Sequence, residues 1–105
     1  MKKLLSALMV VGILVAPASL MADAIKGQKY FTKKLKSSCG ISGAALAGKH
    51  TQEDWKEVNE AGKLKDEIKA ICPNVKDSAL KDKYMQHYYD FLFEYASDSG
   101  NVPAC

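Results

Sequence analysis

The chain has 105 residues, of which 15 are basic and 12 acidic, and its formal net charge is +3. An N-terminal segment containing Lys2 and Lys3 is predicted to be removed, which leaves 13 basic residues against the same 12 acidic ones. A mature chain with a net charge of about +1 does not favour nucleic-acid binding. The absence of arginine excludes bidentate recognition of phosphate by guanidinium groups, and the length fits one domain with a modest core.

The N-terminus has the pattern of a secretory signal peptide. Two lysines precede an apolar run from Leu4 to Val15, and the small residues Ala22 and Ala24 follow as cleavage positions. The run is shorter than a membrane-spanning helix requires. We therefore predict a signal peptide at residues 1–22, cleaved after Ala22 or Ala24, and a periplasmic mature domain at residues 23–105 that does not associate with the membrane.

Residues 24–36 are predicted to form the first helix, because apolar side chains that include Phe31 and Leu35 recur on one face. Gly27 lies beside this face, where glycine costs about 1 kcal/mol relative to alanine but lets another helix approach closely. The remaining surface is basic. It is either a solvated face or a docking surface for an acidic periplasmic protein. The lysines concerned are Lys26, Lys29, Lys33, Lys34 and Lys36.

Three short helices are predicted next. Ser42 is placed to cap a helix at residues 43–47, and the segment from Thr51 to Asp54 matches a capping box, which starts a helix at Gln52. That helix is expected to bury Trp55 and Val58 and to end at Gly62. The next helix spans residues 63–71, since Pro73 prevents its continuation.

Residues 77–96 are predicted to form the central helix. They contain six of the nine aromatic residues of the chain. One apolar stripe runs through Leu80, Tyr84, His87 or Tyr88, Phe91 and Tyr95. A second, adjacent stripe widens the apolar surface so that partner helices can pack on two sides. The chain is therefore predicted to be an all-α, single-domain fold of about four or five helices in which the first helix crosses the last.

The three cysteines and the polar tail at residues 97–105 together predict a disulfide that holds the tail. Export to an oxidising compartment favours a disulfide, and a tail too polar to dock by burial would be held by a covalent link. We predict that Cys105 pairs with Cys72, with Cys39 as the alternative partner. The first pairing leaves Cys39 as a free thiol. A thiol-redox function that uses this free cysteine is the third and least favoured prediction of function. It is least favoured because the chain lacks the Cys-x-x-Cys motif of such proteins.

Titratable side chains show no catalytic pattern. His50 and His87 are the two histidines, and with three scattered cysteines they do not match the spacing of a zinc site. No serine, cysteine or carboxylate pair stands in a recognisable catalytic context. The sequence therefore predicts no enzyme activity, no catalytic residues and no metal site.

The order of features resembles class I cytochrome c and a group of short bacterial periplasmic proteins classed with it. The resemblance is carried by Gly27-Gln-Lys-Tyr30-Phe31, by Lys36-Ser-Ser-Cys39-Gly40, by the helix with Trp55, by Pro73 and by the aromatic residues from Tyr88 to Tyr95. It covers nearly all of the mature chain. It implies a cytochrome c-like helical fold and a link to electron transfer.

The haem-attachment motif of that family is incomplete here. Covalent attachment needs Cys-x-x-Cys-His, whereas Lys36 to Gly40 supplies neither the first thiol nor the histidine. We therefore expect an accessory or binding module with no covalent haem and no resident cofactor. The alternative is an electron carrier or haem-binding protein that holds haem non-covalently through His50, Met85 or His87.

Overall fold

A computed structural model describes residues 23–103. The predicted signal peptide and Cys105 lie outside these residues. All regular elements between residues 23 and 103 are helical, which confirms the all-α prediction. No helix in this range is long and apolar enough to cross a membrane.

The first predicted helix is divided into two. Helix α1 covers residues 23–34, and α2 covers Lys36–Cys39. Residues 37–39, which lie beyond the predicted end of the first helix, are also helical, because the Cys39 N–H donates to the Leu35 carbonyl over 2.7 Å. Gly40, with φ 77°, then ends α2 in the left-handed conformation that glycine adopts without strain.

Three middle helices follow the sequence prediction closely: α3 (Gly43–Ala47), α4 (Gln52–Glu60) and α5 (Leu64–Ile71). Thr51 Oγ1 accepts a hydrogen bond from the Asp54 N–H at 3.1 Å, so the predicted cap of α4 is confirmed. Helix α4 ends two residues before the predicted Gly62, whose φ of 73° makes the turn into α5.

The predicted central helix is interrupted near its start. A 3₁₀ turn at Asp77–Leu80 precedes α6 (Asp82–Glu94), and Lys81 between them is extended. The Tyr88 hydroxyl donates to the Ala79 carbonyl over 2.7 Å, which holds the 3₁₀ turn against α6. Leu80 is thereby fully buried. Helical periodicity could not reveal this break, because the apolar spacing continues through it.

Helix α1 crosses α6 at Gly27. A Cβ atom on Gly27 would lie 2.8 Å from the Phe91 Cβ and would collide with the His87 carbonyl oxygen. One turn further along α1, the rings of Phe31 and Phe91 stack with centroids 5.5 Å apart. The predicted crossing of the first and last helices is confirmed, and Leu35 lies in the same buried cluster.

Helix α4 packs against α6 on a different side from α1. The Gln52 side-chain amide donates to the Phe93 carbonyl of α6 at 3.1 Å. Trp55 is fully buried, and its indole N–H donates to the Ala47 carbonyl at 2.9 Å, while Val58 is partly buried. The two partner sides expected for α6 are therefore occupied by α1 and α4.

The disulfide joins Cys39 and Cys72, whose Cα atoms are 4.4 Å apart. The predicted Cys72–Cys105 pairing is therefore wrong, and so is the alternative Cys39–Cys105 pairing, because both partners are already used. Cys39 is not the free thiol. The tail is long enough for Cys105 to reach either Cys39 or Cys72, so its length did not identify the pairing. The Cys39–Cys72 disulfide forms because tertiary packing brings the end of α2 to the end of α5.

The tail is held by hydrogen bonds instead. The Ser97 N–H donates to the His50 carbonyl at 3.0 Å, and Asp98 Oδ1 accepts from the Gln52 N–H at 2.9 Å. Pro103 is buried. Polar tail residues thus dock on the α3–α4 connection through hydrogen bonds to its backbone groups. The polar composition of the tail did not predict this docking.

Candidate docking surface

The predicted basic face is exposed and unpaired. It consists of Lys26, Lys29, Lys33, Lys34 and Lys36, of which only Lys34 is partly buried. Between residues 23 and 103, Lys69 forms an ion pair with Asp77, and His50 lies 2.7 Å from a Glu67 carboxylate oxygen and 3.9 Å from one of Asp54. None of these contacts involves a lysine of the basic face. The field of the basic face is therefore not cancelled by direct contacts within the described chain.

One edge of the basic face contacts Tyr84 of α6. The Lys34 Nζ atom lies 4.6 Å from the centroid of the Tyr84 ring, and the Nζ atom of Lys83 lies 5.1 Å from it. Their hydrogen bonds and positive charges, above all the hydrogen bond from Lys34, lower the pKa of the Tyr84 phenol. Two ammonium groups from two helices thus meet at one phenol.

Tyr30 extends this edge along the α1–α6 crossing. Its ring centroid lies 5.3 Å from that of Tyr84 and 4.9 Å from that of His87, on which it stacks. We call Tyr30, Tyr84, Lys34 and Lys83 the tyrosine edge. Aromatic rings beside cations give it both apolar contact area and charge, a composition enriched at protein interfaces.

Helix α4, which packs on a different side of α6 from α1, has an excess of acidic residues. Helix α4 carries Glu53, Asp54, Glu57 and Glu60 against a single lysine, Lys56. Burial raises the pKa of Tyr89 on this side, and the negative charge of Glu60 raises it further. The molecule is thus electrically asymmetric, with α1 basic and α4 acidic.

The three candidate haem ligands lie in separate surroundings. The Nε2 atom of His50 is 2.7 Å from the Glu67 carboxylate, and the His50 ring meets the edge of Trp55. His87 stacks on Tyr30 of α1. Met85 lines a surface depression beside α5 and is two positions from His87, about 200° around α6. The structure does not bring these side chains together.

A haem iron fits these residues poorly. The Nδ1 atom of His87 has no hydrogen-bond partner in residues 23–103, but it is buried, so an iron could reach it only if the side chains around it moved. His50 already uses Nε2 in its contact with Glu67. No group of three or more His, Cys, Asp and Glu side chains within the same residues could hold a metal ion.

Sequence reasoning identified the basic face but missed its tyrosine edge. In the sequence, Tyr30 belongs only to the segment that resembles cytochrome c, and Tyr84 only to an apolar stripe. Tyr30 and Lys34 are four residues apart and therefore share one side of α1. That spacing was a usable signal, whereas the contact with Tyr84 and Lys83 follows from the crossing angle of two helices.

No protein-family model matches this chain, and neither the curated proteins nor the solved structures include a significantly similar one. The resemblance to class I cytochrome c therefore stays a prediction. The function of the chain is argued below from the geometry and charge of the basic face and the tyrosine edge.

Proposed function

We propose that the chain is an exported, cytochrome c-like helical binding module without covalent haem, which docks on an acidic protein partner in the periplasm. The observation that carries this proposal is the unpaired basic face of α1 and α2. Neighbouring lysines on one helix face are about 5–6 Å apart at Cβ, which is less than the Debye length of about 8 Å at physiological ionic strength. Their fields therefore add.

Helix energetics also favour an external partner. Like charges three or four residues apart, as in Lys26, Lys29 and Lys33, destabilise a helix by about 0.2–0.5 kcal/mol per pair. No carboxylate within residues 23–103 forms an ion pair with these lysines. Carboxylates of a partner would relieve this repulsion and would accelerate the encounter between the two proteins.

The proposal is tested by reversing the charge of lysines on the basic face and comparing the partners that the protein contacts in its native periplasm. The docking variant carries Lys26→Glu, Lys29→Glu and Lys33→Glu. A control variant of equal charge change carries Lys49→Glu, Lys56→Glu and Lys76→Glu, which replace exposed lysines that form no ion pair within residues 23–103. Both variants are compared with the wild type by chemical cross-linking and mass spectrometry of the cross-linked peptides.

A partner that is cross-linked through an acidic segment to the wild type and to the control variant, but not to the docking variant, would support the proposal. Equal loss with both triple variants would show that net charge, not the basic face, decides association, and would overturn it. The wild-type protein, purified from its native periplasm, should show no Soret band, as expected for a protein without haem. Stoichiometric haem would replace this proposal with the electron-carrier alternative.

A further inference from the structure

We propose that the tyrosine edge is the point at which a carboxylate of the partner binds, with the Tyr84 hydroxyl donating to it and the ammonium groups of Lys34 and Lys83 flanking it. This inference rests on the proposed function and names the site within it. The class of ligand is an aspartate or glutamate side chain in an acidic segment of a protein.

The geometry of the two lysines is the first support. Their Nζ atoms lie 4.6 Å and 5.1 Å from the centroid of one ring, although Lys34 belongs to α1 and Lys83 to α6. Neither forms an ion pair within residues 23–103. Two cations that converge on a phenol repel each other, and an anion beside the hydroxyl would offset that repulsion.

Tyr84 is suited to donate to such an anion. Hydrogen bonding and positive charge from Lys34 and Lys83 lower the pKa of its phenol, so the hydroxyl is a stronger donor than that of an ordinary tyrosine. The ring of Tyr30, with its centroid 5.3 Å from that of Tyr84, continues the surface with apolar area. The methylene groups of a glutamate side chain could pack there.

Charge distribution favours a short acidic protein segment over a long polyanion. The chain contains no arginine, so it lacks the planar fork that binds phosphate in bidentate fashion. Helix α4 presents four acidic residues on another side of α6. A nucleic acid long enough to wrap around the domain would meet these repulsive charges, whereas a segment confined to the tyrosine edge would not.

The test uses the mature chain and a fluorescein-labelled peptide of alternating glutamate and glycine, with fluorescence anisotropy at low salt as the readout. Each exposed ion pair that is lost weakens binding by up to about fivefold. The variant that combines Lys34→Gln with Lys83→Gln loses two such pairs and should therefore bind about tenfold more weakly. Tyr84→Phe, which removes only the hydroxyl, should weaken it by about threefold. Tyr89→Phe and Lys56→Gln are matched controls on the acidic side and should leave binding unchanged.

A spectroscopic readout separates direct contact from a general charge effect. A bound carboxylate adds negative charge beside Tyr84, so the peptide should raise the pKa of this phenol, measured by tyrosinate absorbance. Tyr84→Phe assigns the signal, because the peptide-dependent change should vanish in that variant. Peptide binding with no change in the Tyr84 titration would overturn the inference.

The outcomes distinguish this inference from the proposed function. If the docking triple variant loses peptide binding while Tyr84→Phe and the Lys34 and Lys83 variant bind as the wild type does, the basic face stands and the carboxylate site at Tyr84 is refuted. If the wild type does not bind the peptide, both proposals fail. Tighter binding of inorganic phosphate, anionic vesicles or an oligonucleotide of equal charge would refute the carboxylate assignment.

Discussion

Replacement of Gly27 by alanine tests the helix crossing on which the tyrosine edge depends. Two opposing effects can be compared. Alanine improves helix propensity by about 1 kcal/mol relative to glycine. Against this, the new Cβ would lie 2.8 Å from the Phe91 Cβ and would collide with the His87 carbonyl oxygen. Overpacking costs about 1–3 kcal/mol, and the upper end applies because backbone and Cβ atoms cannot turn away as a flexible side chain does.

The expected net effect of Gly27→Ala is a loss of about 2 kcal/mol in the free energy of unfolding. For a domain of this size, that corresponds to a fall in Tm of about 8–16 °C. Urea denaturation followed by fluorescence measures it directly, because Trp55 is the one tryptophan of the chain and is fully buried. The transition should stay cooperative, with an unchanged m-value.

A matched pair at Lys29 provides the control. Lys29 is exposed on the same helix, so Lys29→Ala should be more stable than Lys29→Gly by about 1 kcal/mol, from propensity alone. At position 27 the order should be reversed, with glycine more stable than alanine. If alanine stabilises the protein equally at both positions, α1 does not pack closely on α6 and the reasoning is refuted.

Three further predictions concern the rest of the core. Replacing Cys39 and Cys72 together by alanine should cost about 4 kcal/mol by the chain-entropy model for a loop with a sequence separation of 33; peptide mapping without reductant that finds Cys72 linked elsewhere would contradict the structure. Trp55→Phe should lower the free energy of unfolding by about 1–3 kcal/mol, because the buried Ala47 carbonyl loses its donor, and circular dichroism in urea measures this loss. Burial raises the pKa of Tyr88 above its ordinary value of 10.0, so its contribution to stability is present below about pH 10 and lost as the pH rises, since the unfolded chain releases the proton first. In Tyr88→Phe this alkaline loss should be smaller than in the wild type, and equal pH profiles would contradict the assignment.

Local signals in the sequence predicted most of the secondary structure. The cap at Thr51 and the stop at Pro73 act within a few residues, so the bounds of α4 and α5 followed from neighbouring side chains. The break at Lys81 did not, because it depends on Tyr88 donating to the carbonyl of Ala79 nine residues earlier. That contact leaves the apolar periodicity unchanged.

One part of the candidate site could be predicted from local sequence and the other part could not. The basic face was visible in the sequence because lysine spacing on one helix determines which side chains share a surface. Its tyrosine edge was not, since Lys34 and Lys83 meet at Tyr84 only once α1 lies across α6. The candidate haem ligands His50, Met85 and His87 share only their residue types, and the structure places them apart.

Local patterns along the chain were enough to predict that this protein is helical, where most of its helices begin, and that its first helix is basic, because caps, apolar periodicity and charge spacing act over one or two turns. The pairing of the cysteines, by contrast, depends on how the helices pack. Chain length let Cys105 reach either partner, but packing brings the ends of α2 and α5 together and places the Cα atoms of Cys39 and Cys72 4.4 Å apart. Pairing depends on this spatial approach, and spacing along the chain does not encode it.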